Sequence, residues 1–143
     1  MFIKRNNDIN NIKEVIILCD NAFDNPIHMR SNYLELVEKI SNYAIFLVAY
    51  SSDVAGYCAI YINDIESKTA YITLIATEKS HQRMGIGKDL LDRTEEETLK
   101  KGFNKIKLEV KKENKNAIHF YEKNGFKIVS EASDHSFYMI KEL

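Results

Sequence analysis

The stretch of this chain with the plainest chemistry is Thr77 to Leu90, TEKSHQRMGIGKDL. It reads as the end of a strand, a turn holding two glycines one residue apart, and the start of a helix. The first N–H groups of a helix have no intrahelical acceptor, and its dipole is positive at that end, so such a start attracts phosphate. Glycine at 85 and 87 lets the backbone approach an anion without a Cβ in the way. Lys88 adds positive charge at the mouth. Two familiar phosphate loops do not fit. A Walker loop needs GxxxxGK[ST], but Asp89 follows Gly87-Lys88 and Gln82 stands where the first glycine belongs. A dinucleotide fingerprint needs GxGxxG, and Leu90 occupies the third position. Taken alone, the turn is also compatible with a helix that merely begins after Gly-x-Gly.

A second block lies downstream, Asn114 to Phe126, NKNAIHFYEKNGF. It resembles the N-x-x-A-x-x-F-Y-x-x-x-G-F segment of the GNAT superfamily of N-acetyltransferases. Gln82-Arg83-Met84-Gly85-Ile86-Gly87 is similar to that family's pyrophosphate loop, Q/R-x-x-G-x-G/A. The blocks stand in the family's order, and the resemblance covers roughly Val54 to Ile140. It implies a GNAT-like mixed α/β fold: a largely antiparallel sheet of about six or seven strands, helices on both faces, and a central parallel strand pair. It implies acetyl-CoA as cosubstrate, with no metal. The backbone N–H groups from about Arg83 to Lys88 would grip its pyrophosphate. The strand residues Ile75, Ala76 and Thr77 would pair with the amide-rich pantetheine arm as a neighbouring strand does. Asn114 would hydrogen-bond the coenzyme, although capping a helix is its other natural role. Tyr121 matches the family's usual general acid, where the alternative is a packed aromatic.

The implied reaction is direct attack of a neutral amine on the thioester. A backbone N–H near Ile75 to Thr77 would meet the oxyanion of the tetrahedral intermediate. Tyr121 would protonate the departing thiolate. A thiol has a pKa of about 8.5 and a phenol about 10, so that transfer is feasible but not strongly driven. The base that deprotonates the amine is not legible. Tyr57, Tyr61, Asp64 and Glu109 lie on or near strands expected to face the acceptor, but such residues are more often packing or surface groups. His28, His81, His119 and His135 show no metal-ligand spacing.

Elements that would position these residues follow from periodicity. Ile9, Ile12, Ile16, Cys19 and Phe23 recur at three and four, the stripe of an amphipathic helix. Pro26 breaks the pattern. A second helix is predicted over Ser31 to Ser41, with Leu34, Val37 and Ile40 inward. Ala44 to Tyr50 and Val54 to Ile62 read as a hairpin across Ser51-Ser52-Asp53. Ala70 to Ala76 is a further strand, rich in β-branched and aromatic residues. The helix after the glycine turn shows Ile86, Leu90, Leu91, Thr94 and Thr98 on one side, with Gly102 as its stop. Ile106, Leu108 and Val110 alternate with charged residues, a half-buried strand. Asn114 to Lys123 reads as a short helix ended by Asn124-Gly125. Two final strands are predicted at Phe126 to Ser130 and Phe137 to Lys141. The unit around residues 70–110 is strand-helix-strand, which makes its two strands parallel.

Composition sets the outer bounds. With 143 residues, 45% hydrophobic and 29% charged, the chain reads as one globular domain over residues 1–143. A net charge of -1 and a pI near 6.4 give no field that favours nucleic acid or an anionic membrane. Cys19 and Cys58 form no CxxC pair and read as buried thiols of a cytoplasmic protein. No signal-peptide pattern opens the chain. The leading expectation is an N-acetyltransferase acting on a small-molecule amine, as a monomer or homodimer. A protein or peptide acetyltransferase, a non-catalytic coenzyme-A-binding module and a nucleotide-binding domain are the alternatives. The acceptor pocket is expected around Phe23 to Tyr33 and Tyr57 to Asp64.

Overall fold

A computed structural model describes residues 1–143. Seven strands form one sheet in the order β1-β2-β3-β4-β5-β7-β6. They are β1 (Phe2–Arg5), β2 (Ile45–Tyr50), β3 (Val54–Asp64), β4 (Thr69–Thr77), β5 (Lys105–Lys111), β6 (Lys127–Ser133) and β7 (Ser136–Glu142). Four helices cover the sheet: α1 (Ile9–Cys19), α2 (Tyr33–Tyr43), α3 (Ile86–Lys100) and α4 (Lys115–Lys123). Every neighbouring pair is antiparallel except β4 and β5, the strands joined through α3. This is the expected mixed sheet with its central parallel pair.

Two apolar layers sandwich the sheet. Against one face, α1 and α2 bury Ile12, Ile16, Val37 and Ile40 onto Phe46, Val48 and Tyr57. Against the other, α3 packs Ile86, Leu90 and Leu91 onto Leu47, Cys58, Ile60 and Leu108, with Ile118 of α4 beside them. All five residues of the predicted α3 stripe are buried, Thr94 and Thr98 included. The two threonines satisfy their hydroxyls by donating to Leu90 O and Thr94 O at 2.7 and 2.8 Å. In β5 the alternation also holds, with Ile106, Leu108 and Val110 inward.

Several expectations are corrected. The Phe2–Arg5 strand was not anticipated; it is a short, mostly exposed edge whose partner, Tyr50 for Phe2, lies far along the chain. Helix α1 is capped by Asp8, whose carboxylate accepts from the N–H groups of Asn10 and Asn11. It ends at Cys19, where the chain tightens into a 3-10 turn over Asp20–Ala22. Phe23 therefore leaves the helical stripe. Helix α2 begins at Tyr33, and Leu34 points outward at 67% exposure, while Val37 and Ile40 face the core. The penultimate strand starts after Phe126, which is buried beneath it. None of the helices is long and apolar enough to cross a membrane.

Candidate active site

The parallel strands β4 and β5 pair only at Thr69↔Lys105, Ala70↔Ile106 and Tyr71↔Lys107. Beyond these three pairs they diverge. Each keeps its outer neighbour: β4 stays paired to β3 as far as Thr77, and β5 to β7 as far as Lys111. Residues 72–77 and 108–111 thus present strand edges to each other across a gap. A cleft of about 1230 Å³ opens there. Its walls include Ile72 to Thr77, Leu108 to Lys111, the glycine turn, Asn114, Phe120 and Tyr121.

The turn forms the cleft's upper rim. Arg83 and Gly85 adopt left-handed backbone with φ of 66° and 79°. Alternating left- and right-handed residues turn successive N–H groups toward one point, an anion-binding nest. No backbone N–H of residues 83–88 has an acceptor within the protein; the first intrahelical bond is Asp89 N–H to Gly85 O at 3.0 Å. The glycines serve different ends. Gly85 is needed for its backbone angle, since a Cβ there would meet no atom within 4 Å. Gly87 is needed for space, because its Cβ would stand 3.0 Å from Phe120 Cζ.

The side chains of the turn are less engaged. Gln82, Arg83 and Met84 are exposed, and Gln82 donates only a long 3.5 Å bond to Thr77 O. Ile86 is buried in the core and contributes its N–H alone. Lys88 bonds Asp92 at 2.8 Å, which draws its ammonium along the helix rather than over the mouth. A brace precedes the turn. Glu78 accepts from Asn21 Nδ2 at 2.6 Å, from Ser80 N–H at 3.0 Å and from the Ser80 hydroxyl, and lies 2.7 Å from His81 Nδ1. These bonds hold its carboxyl down to about 2, the Ser80 hydroxyl contributing most, then Asn21 and His81. The other imidazole nitrogen of His81 lies 3.1 Å from Asp53. Sequence reading missed this brace; the only local signal was the Glu-x-Ser spacing, which is common at turns.

Tyr121 lies on α4, half-buried, with its ring edge-on to Phe120 and Phe126 at 5.5 and 5.7 Å. Its hydroxyl accepts and donates no bond within the protein. Burial raises its pKa above the ordinary phenol value, and the nearby Cys58 adds to this. Asn114 caps α4: its Oδ1 accepts from Ala117 N–H at 3.1 Å, leaving Nδ2 on the cleft rim. Capping and ligand contact are thus compatible rather than alternatives.

The remaining candidates separate. The Tyr57 ring is fully buried against Phe46, and the hydroxyls of Tyr33, Tyr57 and Tyr61 are buried without partners. Tyr61 and Asp64 belong to a smaller pocket of about 360 Å³ at the other end of β4. Asp64 is tied to Ser67 there. Glu109 lines the main cleft and accepts from Ser136 Oγ at 2.6 Å. His119 is exposed, and no cluster of His, Cys, Asp or Glu has the makings of a metal site. From the α1–α2 connection, Phe23, Asp24, Asn25, Ile27 and Arg30 join the cleft wall.

An open strand edge, a nest of unmet N–H groups and a tyrosine hydroxyl in one cleft fit a ligand with an amide-bearing arm and a pyrophosphate. The comparisons agree. The family model described as "Acetyltransferase (GNAT) family" matches residues 12–126. Among solved structures, PaiA N-acetyltransferase from Thermoplasma acidophilum in complex with coenzyme A aligns over 100% of both chains, with TM-score 0.80 and 22% identity. The ribosomal-protein-S18-alanine N-acetyltransferase from Escherichia coli aligns over 99% of this chain and 92% of its own, with TM-score 0.80 and 19% identity. The IAA acetyltransferase from Bacillus cereus aligns over 99% of each chain, with TM-score 0.77 and 20% identity. This chain belongs to the GNAT acetyltransferase family, whose members use acetyl-CoA as cosubstrate.

Proposed function

We propose that the protein is an N-acetyltransferase that passes the acetyl group of acetyl-CoA to the amine of a small molecule by direct attack. The observation that carries this reading is the convergence in one cleft of the β4–β5 gap, the N–H nest of residues 83–88 and the Tyr121 hydroxyl.

Acetyl-CoA, when bound, supplies an activated thioester. The chain's own residues do the rest. Backbone groups of Ile75, Ala76 and Thr77 pair with the pantetheine amides, filling the place of a missing strand. The nest formed by Arg83, Met84, Gly85, Ile86, Gly87 and Lys88 holds the pyrophosphate, with Gln82 at its shoulder. Asn114 Nδ2 donates from the opposite rim. An N–H at residues 75–77 faces the oxygen on which charge develops. Tyr121 is protonated at physiological pH, as any phenol is; burial raises its pKa further and so makes its proton harder to release. It hands that proton to the departing sulfur. A proper fit of both reactants between β4 and the α1–α2 connection supplies the larger part of the acceleration.

The test is acetyl-CoA-dependent thiol release against a panel of small amines and peptides, with Tyr121→Phe run beside the wild type. Release with a small amine, with kcat lowered up to ~10²–10⁴-fold in the variant and coenzyme affinity unchanged, is the expected result. Full activity of Tyr121→Phe removes the acid role. Release with peptides alone moves the acceptor to protein amines.

A further inference from the structure

The acceptor end of the cleft carries one fixed cation. Arg30 follows the 3-10 turn Ile27–Met29 and lines the cleft wall. Its Nε and Nη2 both donate to Asn25 O, at 3.2 and 2.9 Å. Its guanidinium carbon sits 5.7 Å from the centre of the Phe23 ring. Two hydrogen bonds to one carbonyl and a cation–π contact therefore hold the group before any ligand arrives. A guanidinium has five N–H donors. Two are engaged, and those on Nη1 with the second on Nη2 are left. That remaining end is the fork that meets a carboxylate through two parallel bonds.

Arg30 has no direct ion-pair partner; the buried Asp20 carboxylate, on the preceding 3-10 turn, is occupied by the N–H groups of Ile27 and His28 and by His28 Nδ1. No carboxylate lies within ion-pair distance of Arg30, whereas Arg93, Lys88, Lys112 and Lys141 each have an acidic partner. Asp24, on the same wall, is exposed and makes no hydrogen bond, so water and salt screen it. Burial raises the pKa of the Tyr57 hydroxyl, the Cys19 and Asp20 charges add to this, and the Arg30 charge partly lowers it. Tyr57 is the cross-strand partner of Ala76. Arg30 and residues Ile72 to Thr77 of β4 line the same cleft.

We infer that the acceptor is an amine that also carries a carboxylate, an amino acid or a close relative, and that Arg30 selects it through that carboxylate. The inference rests on the acetyltransferase reading above and names the substrate class for the same cleft. A half-buried guanidinium without a direct ion-pair partner is poorly suited to polyamines, which bring only positive charge. It equally offers nothing to a peptide N-terminus, whose α-carboxyl is an amide.

The experiment compares the common amino acids with their amides as acceptors, in wild type, Arg30→Met and Arg30→Lys. The amides lose only the negative charge. Their amines are less basic and so more often neutral, which makes intrinsic reactivity favour the amide. A preference for the acid therefore comes from the site. Wild type is expected to accept one or more amino acids with KM at least tenfold below that of the matching amide. Arg30→Met should raise KM for the acid by about 10–100-fold, the span of a charge-assisted hydrogen bond, with a much smaller effect on KM for the amide. Arg30→Lys should recover part of the loss, because it restores charge without the fork. Equal use of acid and amide by wild type overturns the inference while leaving the acetyltransferase reading intact. So does an Arg30→Met effect of the same size on both acceptors, which marks the residue as a loop brace. Absence of transfer to every amine tested, acid or amide, overturns both.

Discussion

Gly85 offers a perturbation whose size follows from its backbone. With φ at 79°, an L-residue with a Cβ costs about 1–2 kcal/mol there. No protein atom lies within 4 Å of that Cβ, so the cost is conformational and not a clash. In Gly85→Ala, the strain has two outlets. If the turn holds its shape, the free protein loses stability. If the turn relaxes, the nest is spoiled and binding must restore it. Either way, the coenzyme-bound state falls by the same 1–2 kcal/mol against the unfolded chain. For a chain of this length that is a drop of roughly 3–8 °C in the Tm measured with saturating coenzyme A. Gly85→Asn is the control, because Asn tolerates left-handed backbone at little cost; its bound Tm should fall by about half as much or less. Gly85→Glu adds a charge in the open space before the nest. At about 5 Å it repels each phosphate charge by roughly 1–3 kcal/mol. Two such charges weaken binding about 30-fold to 10⁴-fold. Calorimetric titration with coenzyme A and thermal melts with and without it supply both readings. Identical bound melts for Ala and Asn would refute the left-handed turn as the cause. Wild-type affinity in Gly85→Glu would remove the nest from the coenzyme site.

Two further predictions concern the braces around the cleft. Glu78 has a carboxyl held near 2 in the fold, below its ordinary 4.5. Its stabilising contribution is therefore complete above about pH 4.5 and is lost as pH falls from there toward 2. Glu78→Gln should flatten the dependence of Tm on pH across that window and weaken coenzyme affinity at neutral pH; an unchanged acid profile would show that the brace contributes nothing. Asn114→Ala removes the cap of α4 and should cost about 1 kcal/mol, roughly 3–4 °C in Tm. Asn114→Asp keeps the cap but not the Nδ2 donor, so it should restore the Tm yet not the coenzyme affinity. Recovery of both would leave Asn114 a cap alone.

What the sequence discloses depends on the range over which each feature is decided. The α3 stripe and the β5 alternation are local periodicities, and every position assigned inward is buried. The glycine turn announces itself because two nearby positions require the same residue, Gly85 for its backbone angle and Gly87 for space beside Phe120. Phe23 and Leu34 were misplaced for a different reason. An α-helix stripe extrapolates only as far as the helix runs, and neither the tightening at Asp20 nor the start at Tyr33 is set by the stripe itself. The edge strand Phe2–Arg5 exists because β2 is there to receive it, a contact that no local pattern encodes. The β4–β5 gap is the extreme case. Both strands have good strand sequences throughout, and their parting depends on how α3 and the outer strands hold them. Hence the residues around the cleft could be named from motif, whereas the open edge of β5 and the role of Arg30 emerge only in three dimensions.

The three-pair junction of β4 and β5 bears on how the molecule is assembled. The ladder β1–β4 is drawn from residues 2–77, and the ladder β5–β7 from residues 105–142. The two parts of the sheet are therefore separate stretches of chain, with the three-pair junction between them. The single sheet is thus built from two consecutive segments of chain, joined by the three pairs at Thr69–Tyr71 and by α3. A ligand lodged in the gap acts as a cross-tie between them.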